Sequence, residues 1–163
     1  MKKINVLIST CFGYGYLTKI PGTVTSLVTT VFIYIAYEYI GYTDLKFSII
    51  FFTLLFFYSF YAVKDSESEF KNKDPRQIVI DEVLGQAMPL ILLLYLSQTN
   101  QLNIQIEIYY SLSFVFFRFF DILKPFPVSY FDKNFKNYFG IIMDDIMAGL
   151  YSMLLIYLIS LKY

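Results

Sequence analysis

Two pairs of adjacent carboxylates stand near the beginning of long apolar segments of this chain. Asp81 and Glu82 lie in "IVIDEVLGQ", and Asp144 and Asp145 lie in "GIIMDDIMAG". A fifth carboxylate, Asp121, lies near the end of another apolar segment, in "FRFFDILKPFP". A carboxylate placed within a bilayer costs up to roughly 3 kcal/mol even on insertion scales. The natural explanation for these acids is a bound cation that compensates their charge.

An all-oxygen ligand set in a chain without histidine favours Mg²⁺ or Mn²⁺ over Zn²⁺. Two acidic pairs from two helices can hold one metal ion or a close pair of ions. Adjacent helical residues project about 100° apart, so one member of each pair can bind the metal while the other supports it. The simpler alternative is that these acids only complement the positive ends of helix dipoles.

Basic residues accompany the acid that lies near the end of its segment. Arg118, Asp121 and Lys124 are spaced i, i+3, i+6 and therefore share one helical face. The Arg fork and the Lys ammonium suit phosphate oxygens, and the Asp between them can orient the Arg or bind the metal. The alternative for Lys124, which precedes Pro125, is ordinary anchoring of a helix end at the membrane surface.

The segment "PGTVTS", residues 21–26, combines a tight turn with hydroxyl groups at a helix start. Free backbone amides at such a position form an anion site, so Thr23 and Ser26 become candidate phosphate contacts. The alternative is a simple N-cap. Gly85 and Gly149 each follow an acid by four residues, which lets two helices approach closely there, whether for the site or for packing alone.

Several other chemistries are excluded by residues that the chain lacks. The absence of histidine removes Ser-His triads and histidine phosphoenzymes. Cys11 is the single cysteine, and the sixth residue after it is Leu17 rather than the arginine that cysteine phosphatases need. No Asp-x-Asp nucleophile motif occurs, and a formal charge of zero gives no reason to expect a nucleic-acid partner. Metal-assisted phosphate hydrolysis remains the leading chemistry.

The elements that must position these residues are helices in a membrane. The chain has 163 residues, of which 57% are hydrophobic and 21% aromatic, and its mean hydropathy is +0.55. Each apolar run is close to the ~20 residues that span a bilayer core, and the runs cover residues 24–42, 45–63, 78–96, 106–123 and 141–161. We therefore expect a multi-span helical bundle of about five long helices, forming a single domain over residues 1–163. Residues 1–20 fit a short interfacial or re-entrant helix, and a soluble bundle with a very apolar core is the alternative fold.

Alternation of these segments across a membrane sorts the basic residues. Only Lys46 and Lys162 fall on one side. The other side, or its edge, receives Lys2, Lys3, Lys19, Lys64, Lys71, Lys73, Arg76, Arg118, Lys124, Lys133 and Lys136. The positive-inside rule makes the crowded side cytoplasmic. The unusual polar residues all fall on that side, so segments distant in sequence should converge on one interfacial pocket.

The four segments "PGTVTS", "IVIDEVLGQ", "FRFFDILKPFPVSYFD" and "GIIMDDIMAG", in this order, resemble the phosphatidylglycerophosphatase A family. The resemblance covers roughly residues 12–154. It implies an all-helical fold and a Mg²⁺-dependent phosphatase that converts phosphatidylglycerophosphate into phosphatidylglycerol and inorganic phosphate in the bacterial inner membrane, with its active site facing the cytoplasm. The family pattern usually continues PGT-x-G-S, whereas this chain has Thr25 at the glycine position.

The resemblance also implies roles for individual residues. The expected metal ligands are Asp81, Glu82, Asp144 and Asp145. Asp121 would be a further ligand or base, Arg118 and Lys124 would clamp the phosphomonoester, and Thr23 and Ser26 would contact the substrate. A small membrane transporter or ion-coupled carrier is the alternative function, although its carboxylates should lie near the bilayer midplane.

Overall fold

A computed structural model describes residues 2–70 and 75–162, and within those ranges the chain is all helical, without a strand. The predicted all-α class is therefore confirmed. Two short helices accompany five long ones. The helices are α1 (Lys2–Ser9), α2 (Pro21–Tyr34), α3 (Leu45–Ser66), α4 (Ile80–Gln98), α5 (Ile106–Leu123), α6 (Val128–Asn134) and α7 (Tyr138–Lys162).

The five long helices form where the apolar runs predict them, with ends fixed by local chemistry. Helix α2 begins at Pro21, whose ring supplies helical φ and whose missing N–H needs no partner at the first helical position. A π-helical stretch, Ile35–Tyr39, continues α2. Helix α3 is capped by Asp44, whose side chain accepts a hydrogen bond from the backbone N–H of Phe47.

Three helices, α3, α4 and α7, are long and apolar enough to cross a membrane within the described part of the chain. Helix α3 exposes large aromatic side chains, including Phe51 and Phe57, which suits contact with lipid. Helices α2 and α5 lie outside this set. Helix α2 has 14 residues before its π-helical continuation, and α5 carries Glu107, Arg118 and Asp121. A count of about five spans therefore remains a prediction.

Helix α4 lies at the centre of the bundle and packs against α2, α3, α5 and α7. Its contact with α7 is close because Gly85 and Gly149 face each other across it. Helix α1 packs on α3 through a polar network: buried Asn5 donates to the Asp65 carboxylate and accepts from the Tyr58 hydroxyl. These contacts bring the beginnings of α2, α4 and α7 to the same end of the molecule as the end of α5.

Candidate active site

A cavity of about 430 Å³ opens where these helix ends meet. Its wall is formed by the start of α2, the start of α4, the end of α5, α6 and the start of α7. The polar segments that the sequence predicts on one side of the membrane therefore meet at this cavity. Each of the four polar sequence segments contributes candidate residues to the cavity wall, namely Thr23, Asp81, Glu82, Arg118, Asp121, Lys124, Asp144 and Asp145.

Three carboxylates come together at the inner end of this cavity. One oxygen from each of Asp81, Glu82 and Asp145 lies within 4.8 Å of the others. Asp81 and Asp145 are buried, with 8% and 4% of their surface exposed. Within the described residues no lysine or arginine forms an ion pair with any of the three.

The same three carboxylates fit an oxygen-preferring divalent cation. Buried oxygens Oδ1 of Asp81 and Oε2 of Glu82 have no hydrogen-bond partner among the described residues. A buried anionic oxygen without a partner costs several kcal/mol, so a bound cation would stabilise the ionised form of these converging carboxyl groups. Hard oxygen donors without nitrogen or sulfur are the ligand set of Mg²⁺ or Mn²⁺. Asp81, Glu82 and Asp145 would hold such an ion.

Glycines set the spacing of this carboxylate cluster. A Cβ on Gly85 would lie 2.6 Å from the backbone carbonyl oxygen of Asp145, so α4 and α7 approach as closely as their backbones allow. Asp81 lies one turn before Gly85, and Asp145 one turn before Gly149, which places the two acids opposite each other. Gly22 of the "PGTVTS" segment lets α2 approach α4 closely, because a side chain at this position would collide with the carboxylate of Glu82.

Asp144, the fourth predicted ligand, has a different environment. Its Oδ2 accepts a hydrogen bond of 2.7 Å from Lys124 Nζ, and Lys124 also donates to Asp132 Oδ1 at 2.7 Å. Lys124 lies just after α5 with φ of 47°, a left-handed conformation that turns the chain out of the helix. Lys124 therefore bridges α6 and α7 beside the acidic cluster.

Electrostatics keep this bridge charged. Partial burial lowers the pKa of Lys124, but the carboxylates of Asp144 and Asp132 outweigh that effect and hold the pKa above its ordinary value. For Asp132 the signs are reversed: partial burial raises its pKa, but the hydrogen bond from Lys124 and the charges of Lys124 and Lys136 lower the pKa overall. An ammonium group held in this way can meet a phosphate oxygen without reorganisation.

Arg118 and Asp121 form the second basic and acidic pair on the wall. Arg118 Nη1 lies 2.6 Å from Asp121 Oδ2, as their i, i+3 spacing predicts, and both side chains are about 15% exposed. The same nitrogen lies 3.5 Å from Ser26 Oγ, and Ser26 donates to the backbone carbonyl of Gly22. Asp121 also lies beside Asp145. Arg118 Nε is buried and has no hydrogen-bond partner within residues 2–70 and 75–162, so the guanidinium retains a free donor there.

The two hydroxyls of the "PGTVTS" segment separate in the structure. Thr23 lies on the cavity wall, whereas Ser26 is fully buried behind Arg118 and is absent from that wall. Ser26 supports the guanidinium in this arrangement. Thr25, at the position of the usual family glycine, is buried as well, and its hydroxyl has no partner among the described residues.

Sequence reasoning missed four charged residues that line the cavity: Lys19, Arg76, Asp132 and Lys136. Asp132 lies in α6, a short helix that the apolar pattern could not reveal because it has only seven residues. Lys19, Arg76 and Lys136 lie in connections between helices, where a basic residue is typical of any membrane protein. Their shared position becomes visible only in three dimensions.

The described residues form an all-helical fold with three helices apolar enough to cross a membrane, and a cavity in which basic side chains lie beside carboxylates. A profile of the family Phosphatidylglycerophosphatase A matches residues 7–160. The chain therefore belongs to the phosphatidylglycerophosphatase A family and is a phosphatase.

Individual relatives support this membership. The chain is 33% identical over 165 residues to Phosphatidylglycerophosphatase A of Haemophilus influenzae, covering 98% of this chain and 94% of that protein. It is 34% identical over 152 residues to a Putative phosphatidylinositol-3-phosphatase of Bacteroides thetaiotaomicron, covering 93% and 90%. It is 29% identical over 154 residues to Phosphatidylglycerophosphatase A of Escherichia coli, covering 94% and 82%. No solved structure matches the chain significantly.

Proposed function

We propose that this protein is a Mg²⁺-dependent lipid phosphatase that hydrolyses phosphatidylglycerophosphate to phosphatidylglycerol and inorganic phosphate, in the synthesis of glycerophospholipids. The observation that carries the proposal is the pocket itself, which an arginine and a lysine line together with three carboxylates that form no ion pair among the described residues. Relatives named for that activity, matched over nearly the whole chain, support the choice of substrate.

In this reaction a water oxygen forms a bond to phosphorus while the bond to the glycerol oxygen breaks. A Mg²⁺ ion held by Asp81, Glu82 and Asp145 would neutralise phosphate oxygens and lower the pKa of water. Arg118 donates hydrogen bonds to the phosphate through the guanidinium edge that its pairing with Asp121 leaves free, and Lys124 adds a fixed positive charge. Asp121, beside both Arg118 and Asp145, is placed to accept the proton of the attacking water and to return it to the departing glycerol oxygen.

The membrane supplies the lipid part of this substrate. We infer that the acyl chains stay in the bilayer while the charged headgroup enters the cavity from the interface. The cationic residues around that cavity favour the cytoplasmic face of a bacterial inner membrane, since anionic headgroups and positive loops meet there.

A second substrate is favoured by one specific observation. The Bacteroides thetaiotaomicron relative is named a putative phosphatidylinositol-3-phosphatase and is as similar as the other relatives. Both lipids carry a phosphomonoester that the same pocket chemistry can cleave. A transporter is not favoured, because the carboxylates cluster at one end of the bundle rather than at its middle.

The test is release of inorganic phosphate by the purified protein in detergent micelles. Phosphatidylglycerophosphate and phosphatidylinositol 3-phosphate with the same acyl chains would be presented at equal surface concentrations. We expect a higher kcat/KM for phosphatidylglycerophosphate. A preference for the inositol lipid would replace the proposed substrate, and hydrolysis of neither by folded protein would refute the proposed function.

A further inference from the structure

The cavity has an outer wall whose charged residues the proposed reaction does not use. Lys19 and Arg76 line the same cavity as the carboxylates, but both are exposed, whereas Asp81 and Asp145 are buried at its inner end. Within residues 2–70 and 75–162 neither cation has a carboxylate at ion-pairing distance. Lys136, the third cation of this wall, already lies 3.7 Å from Asp132. Among the described residues, Lys19 and Arg76 therefore remain available to a ligand.

Arg76 lies in a turn whose backbone is held by hydrogen bonds and by close packing. The backbone N–H of Ile78 donates to the carbonyl of Pro75 at 2.9 Å, which closes a tight turn around Arg76. The N–H of Val79 donates to the Ser9 carbonyl, also at 2.9 Å. Gly15 packs so closely on the backbone of Gln77 that a side chain there would collide with it.

This anchoring distinguishes Arg76 from a cation on a free loop. Its turn runs directly into α4, which begins at Ile80 and carries Asp81 and Glu82 in its first turn. Arg76 is thus held in a fixed relation to the carboxylate cluster. Lys19 approaches the same cavity from the opposite connection, two residues before Pro21 begins α2.

The substrate of the proposed reaction carries two phosphates, and the inner end of the cavity serves only one of them. The terminal phosphomonoester meets Arg118, Lys124 and the acidic cluster, and a three-carbon glycerol unit separates it from the phosphodiester nearer the membrane. We propose that Arg76 and Lys19 bind this phosphodiester and so select lipids that carry a diester beside the monoester. This inference rests on the proposed function and identifies which part of its substrate the outer wall recognises.

The chemistry of the two cations suits this role. A phosphodiester has one negative charge and two unesterified oxygens, which an arginine fork can contact together. The cavity volume of about 430 Å³ lies in the range of pockets that enclose small molecules. A lipid with a monoester alone, such as phosphatidate, would leave both cations without a partner.

The experiment uses the full chain in mixed micelles and compares Arg76→Gln with the wild type. KM and kcat are measured for phosphatidylglycerophosphate. Inhibition constants are measured for phosphatidylglycerol, which has only the diester, and for inorganic phosphate, which probes only the inner end. We expect KM and the inhibition constant of phosphatidylglycerol to rise roughly tenfold or more, the loss typical of a hydrogen bond to a charged group. The inhibition constant of phosphate and the value of kcat should each change less than about twofold.

Two further variants separate binding from general attraction to anionic lipid. Lys133→Gln removes an exposed cation of α6 that is absent from the cavity wall, so its constants should match the wild type. Lys19→Gln should reproduce the pattern of Arg76→Gln more weakly, because an ammonium is a single point charge.

Three outcomes would overturn the inference while leaving the proposed function intact. In the first, Arg76→Gln changes the inhibition constants of phosphatidylglycerol and of phosphate by the same factor. In the second, Lys133→Gln raises KM and the inhibition constant of phosphatidylglycerol as much as Arg76→Gln does. In the third, phosphatidylglycerol does not inhibit the wild type competitively. Failure of the wild type to hydrolyse phosphatidylglycerophosphate would overturn both together.

Discussion

Substitution of Gly85 by Ala tests how the helix crossing sets the active site. The added Cβ would lie 2.6 Å from the backbone carbonyl oxygen of Asp145 and 2.5 Å from the ring of Phe117. The ring can turn aside, but the carbonyl is backbone. An ordinary contact begins at 3.4 Å, so α4 and α7 must separate by about 0.8 Å at this point.

The separation falls directly on the carboxylate cluster. Asp145 carries both the displaced carbonyl and a carboxylate of the site, and Asp81 lies one turn before the substitution. Metal-ligand distances tolerate only about 0.2 Å. A displacement near 1 Å at a reacting centre costs about 100-fold in rate, or roughly 2.7 kcal/mol of transition-state stabilisation.

The expected change in stability is smaller than this. Overpacking costs about 1–3 kcal/mol, and the better helix propensity of Ala returns about 1 kcal/mol. We therefore expect the free energy of unfolding to fall by about 0–2 kcal/mol, while kcat/KM falls about 100-fold and half-activation needs more Mg²⁺.

Phosphate release, metal titration and thermal unfolding by circular dichroism would be measured together. Ile156→Val is the control, because this buried residue lies further along α7 and its truncation costs about 0.5–1.5 kcal/mol without touching the site. Wild-type activity and metal dependence in Gly85→Ala would show that the backbone contact between α4 and α7 does not position the acids.

Three more predictions follow from other contacts of the site. Gly22→Ala would push against the end of the Glu82 side chain, which can swing away, so stability should be nearly unchanged while the Mg²⁺ concentration for half-activation rises. Lys124→Gln would leave buried Asp144 without its ion pair. The free energy of unfolding should fall by about 1–3 kcal/mol and kcat/KM should fall as well, whereas Asp132→Asn should reduce both quantities less. Removal of divalent ions by a chelator should abolish phosphate release and added Mg²⁺ should restore it; full turnover in excess chelator would exclude the metal.

Much of the scaffold could be predicted because lipid imposes a simple pattern. The apolar run at residues 106–123 predicts α5, and its observed bounds, Ile106–Leu123, are the same. The pairing of Arg118 with Asp121 follows from helical spacing alone. Such features depend only on residues that are close together along the chain, so they can be predicted from a single sequence.

Features that depend on contacts between distant segments could not be predicted in the same way. The partner of Lys124 in α6, Asp132, belongs to a polar connection whose short helix leaves no periodic signal. The division of the second acidic pair, with Asp145 in the cluster and Asp144 held by Lys124, depends on how α7 rotates against α4 and α6. Adjacent carboxylates look equivalent in sequence, and only packing distinguishes them.

The metal site is tested most directly by phosphate release from phosphatidylglycerophosphate, measured for the wild type and for Asp81→Asn, each with Mg²⁺ and with chelator. Asp81 is the buried acid whose Oδ1 has no other partner among the described residues, and Asn retains its shape while removing its charge. We expect release only by the wild type with Mg²⁺, and a circular dichroism spectrum of Asp81→Asn that matches that of the wild type. Full, Mg²⁺-dependent activity of folded Asp81→Asn would contradict the assignment of this carboxylate cluster as the catalytic metal site.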